Sequence, residues 1–257
     1  MSLRRSSAIL RHEMRVMFTD PSTAIFVIIM PLLMVALMKQ LFANTLAQEG
    51  LTGTNGSEFA VPGMAVSFAA FSVGYAGFSF FRDHGWGTWD RLRASPATSV
   101  DLIVGKVLPT VAVTVVQLGV LFALGGPLFG LTITGSVVGL VLLIVVLALA
   151  LSAFGMLVTA LARTMNQLNA IGSVGGMAMA MMGGSFVPVS AMPGWAQTLA
   201  PALPTYWAMR GFRTLILENG TVADVLVPVL MLVGFGALFT AVAAARFRFE
   251  DTKVYWG

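Results

Sequence analysis

The chain contains no cysteine, only two histidines, and few charged residues, with Asp, Glu, Lys and Arg making up 10% of its 257 positions. The absence of cysteine excludes disulfides, thiolate metal sites and a cysteine nucleophile. A soluble domain carries about 25% charged residues, so there is too little polar chain here to cover a water-facing surface. A water-soluble enzyme is thereby excluded as the default reading. A disordered chain would need the opposite bias and is excluded too. What fills the sequence is apolar: 57% of the residues are hydrophobic and the mean hydropathy is +0.87. A net charge of +4 could point to nucleic acid in a soluble protein. In so apolar a chain it reads as basic loops holding one face against anionic lipid headgroups, with no nucleic acid involved.

Six apolar stretches can be read, near 24–43, 60–81, 107–128, 135–160, 168–187 and 222–245. Each is long enough to cross a hydrocarbon core with some tilt. Backbone polar groups cannot stay unpaired in lipid, so spans of this length are helices. The alternation of a barrel strand is absent, as in the run from Val137 to Val146. The expected fold is an all-α membrane protein with six transmembrane helices in one domain covering 1–257.

Orientation follows from Lys and Arg. Twelve of the 15 basic residues fall on one side, in the N-terminal segment, the loops after the second and fourth spans, and the C-terminal tail. Lys39, Arg210 and Arg213 fall on the other. Both termini are therefore expected in the cytoplasm. Ahead of the first span, Leu3, Leu10, Met14 and Met17 share one helical face and Arg4, Arg11 and Arg15 the adjoining one, the pattern of a helix over 1–20 lying in the interface. A signal peptide is the alternative, disfavoured because His12, Glu13 and Asp20-Pro21 resemble a helix stop more than a basic leader.

Chemistry at depth is missing. No Asp, Glu or His falls in the middle of a span, so proton-relay, hydrolytic and metal-binding groups have no candidates. Ser67, Ser72 and Ser152 read as helix-packing hydroxyls. Gly105-Lys106 lacks the upstream glycine of a phosphate-binding loop, so the chain is expected to bind no cofactor of its own.

The loop over 82–106 concentrates charge. Within it, Gly87-Thr88-Trp89-Asp90-Arg91-Leu92-Arg93-Ala94-Ser95-Pro96 reads as a short helix. Thr88 is the expected N-cap, Asp90 lies in the first turn, and Ser95-Pro96 ends it. Trp86, Trp89 and Leu92 fall at i, i+3 and i+6. An interfacial anchor would explain such a helix, and so would a docking surface. Phe81-Arg82-Asp83, the 87–96 stretch and Gly105-Lys106 together resemble the cytoplasmic loop of ABC type-2 transporter permeases, the membrane subunits of bacterial drug, lipid and polysaccharide exporters. The resemblance implies that this segment is a coupling helix seated in a separate ATP-binding subunit, with Asp83, Gly87, Thr88, Trp89, Asp90, Arg91 and Leu92 forming the contact. His84-Gly85 stands where relatives often carry a charged pair.

A second match lies beyond the fifth span. Gly183-Gly184-Ser185-Phe186-Val187-Pro188, Met192-Pro193-Gly194-Trp195 and Leu203-Pro204-Thr205-Tyr206-Trp207 resemble the family's re-entrant outer hairpin, here over 188–221. Pro188, Pro193, Pro201 and Pro204 break the backbone, while Trp195, Leu199 and Leu203 share a helical face. A long apolar loop facing water would be unusual, so half-buried short helices at headgroup level are expected, with Trp207 among their aromatics.

The resemblance implies an ATP-driven exporter subunit in the inner membrane of a prokaryote, working as a homo- or heterodimer of permeases, with ATP and Mg bound in the partner ATPase. Gly172-x-x-x-Gly176, and Gly74 with Gly77, permit close helix approach, within one chain or between two. Met177, Met179, Met181 and Met182, with Phe68, Phe71, Phe78 and Phe80, would suit a lipophilic or amphipathic cargo or ordinary packing. Polysaccharide or glycolipid export, a passive channel, a membrane scaffold and a membrane enzyme are the alternatives. A channel should show a charged or carbonyl ring, and an enzyme paired catalytic groups; neither is visible.

Overall fold

The computed structural model describes residues 25–48, 50, 53–74, 77–78, 81–82, 85–87 and 99–246. Among these residues the chain is all-helical, with eight α-helices. They are α1 (Met30–Gln48, led in by a π turn at Ile25–Ile29), α2 (Ser57–Phe71), α3 (Ser99–Phe129), α4 (Val137–Leu161), α5 (Met165–Met182), α6 (Gly194–Leu199), α7 (Pro204–Leu217) and α8 (Leu226–Arg246). Among the described residues, four segments are long and apolar enough to cross a membrane: Ile25–Gln48, Val107–Phe129, Val137–Leu161 and Leu226–Arg246.

The second and fifth expected spans differ from the other four. α2 spans roughly 22 Å at about 1.5 Å per residue, and a 3₁₀ turn at Ser72–Gly74 follows it. Asn166, Gln167 and Asn169 interrupt the apolar run of α5. The amphipathic helix expected at Leu3, Leu10, Arg11, Met14 and Arg15 lies outside the described residues.

α2 is the centre of the molecule. Beyond Glu58 in its first turn it is largely apolar, and it is buried along nearly its whole length, packing against α1, α3, α5 and α7. Two approaches depend on the absence of a side chain. A Cβ on Gly56 would overlap the Lys39 carbonyl, and its φ of +87° is one that glycine adopts freely. A Cβ on Gly176 would overlap the Ala70 carbonyl oxygen, and one on Gly172 would stand 3.0 Å from the Gly74 Cα. The Gly172-x-x-x-Gly176 stripe is therefore consumed inside the chain, bringing α5 onto α2.

Helix ends are capped as the sequence chemistry requires. Ser136 Oγ accepts from the Gly139 N–H at 3.2 Å to start α4. Thr164 Oγ1 accepts from the Gln167 N–H at 3.2 Å, while Gln167 Oε1 accepts from the Arg163 N–H at 2.9 Å, a reciprocal arrangement akin to a capping box. Before α8, Asp224 accepts from both the N–H and the hydroxyl of Thr221, each at 2.7 Å. These bonds, the backbone one foremost, hold its carboxyl below the ordinary aspartate value.

Some span hydroxyls bond back to their own helices, as in Ser67 Oγ to the Gly63 carbonyl at 2.7 Å and Thr159 Oγ1 to the Gly155 carbonyl at 2.7 Å, while the buried Ser152 Oγ has no hydrogen-bond partner among the described residues. The faces left open are apolar. Leu33, Leu37 and Leu41 run along α1 at i, i+4, i+8, and Leu226, Leu230 and Val233 run along α8. Such stripes suit a lipid environment and not water.

Candidate functional site

The end of the molecule carrying the α1–α2, α3–α4 and α5–α8 connections is tied together by hydrogen bonds. Asn55 Nδ2 donates to the carbonyls of Phe129 and Gly130, both at 3.2 Å, while its Oδ1 accepts from the Ser57 N–H at 2.9 Å. The last carbonyls of α7 are met by the turn before α4: Gly135 N–H donates to Leu215 at 2.8 Å and Thr134 Oγ1 to Ile216 at 3.0 Å. Thr205 Oγ1 donates to the Met179 carbonyl at 2.5 Å, joining the start of α7 to the end of α5.

The hairpin residues singled out in the sequence each have a local task. Pro188 precedes a 3₁₀ turn at Val189–Ala191, and Pro193 caps α6. Pro204 opens α7 at a position that needs no backbone donor. The Trp207 indole N–H donates to the Pro201 carbonyl at 2.9 Å, and its ring meets Tyr206 edge-on at 5.3 Å. Trp195 is 65% exposed on α6, the disposition of an interfacial tryptophan.

One expectation needs correction. Half-buried surface helices fit α6 but not α7. Ala208, Phe212, Leu215 and Ile216 of α7 are fully buried, and the Phe212 ring stacks 4.9 Å from Phe122 of α3. The reason is its strong amphipathicity: one apolar face enters the core, and the opposite face carries Tyr206, Arg210 and Arg213.

That opposite face lines a cleft of about 580 Å³. Its walls are the first turn of α2 at Glu58, Phe59 and Pro62, the turn after α5 at Gly183 and Gly184, Pro188 to Ser190, and α7 from Tyr206 to Leu217. Glu58 is only 7% exposed, and its Oε2 has no hydrogen-bond partner. Arg210 lies over the Trp207 ring at 5.5 Å, and Arg213 pairs with Glu218 at 3.8 Å on the rim. Sequence reasoning used Arg210 and Arg213 only to orient the chain and passed over Glu58. The available signal was a pair of arginines at i, i+3 in an apolar segment.

At the opposite end, Phe81 is fully buried with Val158, Ala162 and Leu168. Arg82 is buried and stacks on Trp86 at 5.6 Å. The chain turns at Gly87, whose φ is +67°. Of the docking residues, Gly87 is described; Asp83, Thr88, Trp89, Asp90, Arg91 and Leu92 lie outside the described residues. Gly87 thus stands at a turn at the first position of the expected helix. Among the described residues no cluster of His, Asp or Glu could hold a metal ion.

Residues 5–217 match the ABC-2 type transporter family. The chain belongs to that family. Its members are membrane subunits of ABC transporters, normally without catalytic activity, that associate with an ABC ATP-binding subunit. Membership and the four long apolar helices together make the chain a multi-pass membrane protein. It is 28% identical over 162 residues to the linearmycin resistance permease protein LnrN of Bacillus subtilis, covering 63% of this chain and 42% of that protein. It is 29% identical over 142 residues to YbhR of Escherichia coli K12, described as a "probable multidrug ABC transporter permease", covering 55% of this chain and 39% of that one. The match therefore spans about two-fifths of the length of each relative.

Proposed function

We propose that this chain is the permease subunit of an ATP-driven exporter that moves a lipophilic or amphipathic, drug-like or lipid-like molecule across the cytoplasmic membrane. The observation that carries the reading is the family match over residues 5–217, joined to relatives whose names denote resistance and multidrug permeases. The proposed chain is one domain of six spans, with the second formed by α2 and its continuation and the fifth by α5. Both termini face the cytoplasm, on the strength of the basic asymmetry. A separate ATPase binds and hydrolyses ATP with Mg, and this chain binds neither.

Docking is assigned to the helix over 87–96, with Asp90, Arg91 and Leu92 at its centre and Asp83 beside it. Two permeases, identical or different, serve two ATPases. The Gly172-x-x-x-Gly176 stripe does not support the dimer, since those glycines face α2. A better-suited surface is the exposed apolar edge of α5 at Ile171, Val174, Met177 and Met181. The methionines of this edge are the ones expected to meet cargo or a second copy, whereas Met179 is spent in the core.

The test is reconstitution of the permease with its ATPase in liposomes, followed by ATP hydrolysis against a panel of lipophilic drugs and lipids. Stimulation by one class of amphiphile supports the reading. Hydrolysis indifferent to every amphiphile but stimulated by a soluble glycan would favour the polysaccharide alternative.

A further inference from the structure

The cleft over α7 gathers four charged side chains, Glu58, Arg210, Arg213 and Glu218, the last paired with Arg213. A carboxylate as buried as Glu58 is costly unless something pairs with it. Its Oε2 is buried without a hydrogen-bond partner among the described residues, and Glu58 lines the same cleft as Arg210 and Arg213. Arg210 and Arg213, one turn apart on α7, form a cationic wall, and guanidinium groups suit a phosphate or carboxylate geometrically. Phe59, Met209 and Leu217 supply apolar lining. The cleft therefore combines a buried carboxylate, two arginines and apolar side chains in one wall set.

We infer that this cleft binds the head of a zwitterionic amphiphile, its ammonium against Glu58 and its phosphate or carboxylate against Arg210 and Arg213. The inference rests on the proposed topology, which puts the cleft at the outer headgroup level. The head could belong to a membrane phospholipid or to a transported amphiphile, and both present the same chemistry.

The test uses the full-length chain purified in an uncharged detergent and titrated with three probes. Lysophosphatidylethanolamine carries both charges, lysophosphatidylglycerol only the phosphate, and monoacylglycerol neither. A charge-assisted contact to Glu58 gives the first probe an advantage of about tenfold over the second. Glu58→Gln reduces that advantage to about twofold or less while leaving lysophosphatidylglycerol binding in place, which also shows that the variant is folded. Arg210→Gln combined with Arg213→Gln weakens both phosphate-bearing probes by about tenfold or more. Equal affinity for the two in the wild-type chain overturns the inference, whether or not any variant folds, and so does an unchanged preference in Glu58→Gln.

The source is read in phosphatidylglycerol nanodiscs. Displacement of the probe by added phosphatidylethanolamine identifies a lipid, and undiminished probe binding identifies cargo. Because binding is measured without an ATPase, its failure is separate from a failure of transport.

Discussion

The Thr205 hydroxyl donates to the Met179 carbonyl at 2.5 Å, closing the junction between the last turn of α5 and the first of α7. That carbonyl also accepts from the Gly183 N–H at 2.9 Å, so the hydroxyl is its second donor. Thr205→Val keeps the shape and removes this second donor, and is expected to cost about 0.5–1.5 kcal/mol. Thermal unfolding of the purified protein should show a lowered midpoint for Thr205→Val and a smaller change for Thr205→Ser. Equal midpoints for wild type and Thr205→Val would remove this bond from the account.

Glycine substitutions should divide sharply. Gly176→Ala forces α5 away from the Ala70 carbonyl, with an expected loss of about 1–3 kcal/mol. Gly234→Ala on α8 meets open space and should be neutral or stabilising, because alanine outranks glycine in a helix by about 1 kcal/mol. If Gly176→Ala instead changed oligomeric state at unchanged thermal stability, the glycine stripe would belong to an interface between copies.

The proposed orientation is open to a direct probe, because a chain without cysteine makes each introduced thiol unique. Thr198 on α6 is exposed. Thr198→Cys is expected to react with an impermeant thiol reagent from outside intact cells, and Ser95→Cys only after the membrane is opened. The reverse pattern would invert the topology.

The proposed docking helix makes opposite predictions from an interfacial anchor. In an ATPase groove, Leu92→Ala removes an anchor whose loss typically costs about 2 kcal/mol, roughly a thirtyfold weakening. Asp90→Lys places the wrong sign in a matched contact. A headgroup anchor would tolerate the first and gain from the second, since added positive charge favours anionic lipid. The expected outcome for Asp90→Lys is a folded permease that no longer co-purifies with its ATPase. Wild-type association would refute the assignment.

Much of the architecture was legible from composition and run length alone. A chain so short of charge must be all-helical in lipid, because no other open structure satisfies its backbone there. The spans around α1, α3, α4 and α8 announced themselves as unbroken apolar runs, and the prolines of the hairpin marked its breaks. The family resemblance rested on local motifs such as Gly87 to Pro96, which a linear reading can find.

Tertiary structure decided three other matters. The glycines at 172 and 176 could have faced a second copy or the same chain; the Ala70 carbonyl and the 3₁₀ turn at Gly74 placed them inside. α7 resembled a surface helix by its hairpin context, yet the space between α2, α4 and α8 drew its Phe212 face into the core. Glu58 stood more than 150 positions from Arg210 and Arg213 in the chain, and only the burial of α2 against α7 set them around one cleft. Apolar run length is a property of neighbouring residues and survives in one dimension. The side chains opposed across a cleft depend on packing between distant helices, which no local pattern encodes.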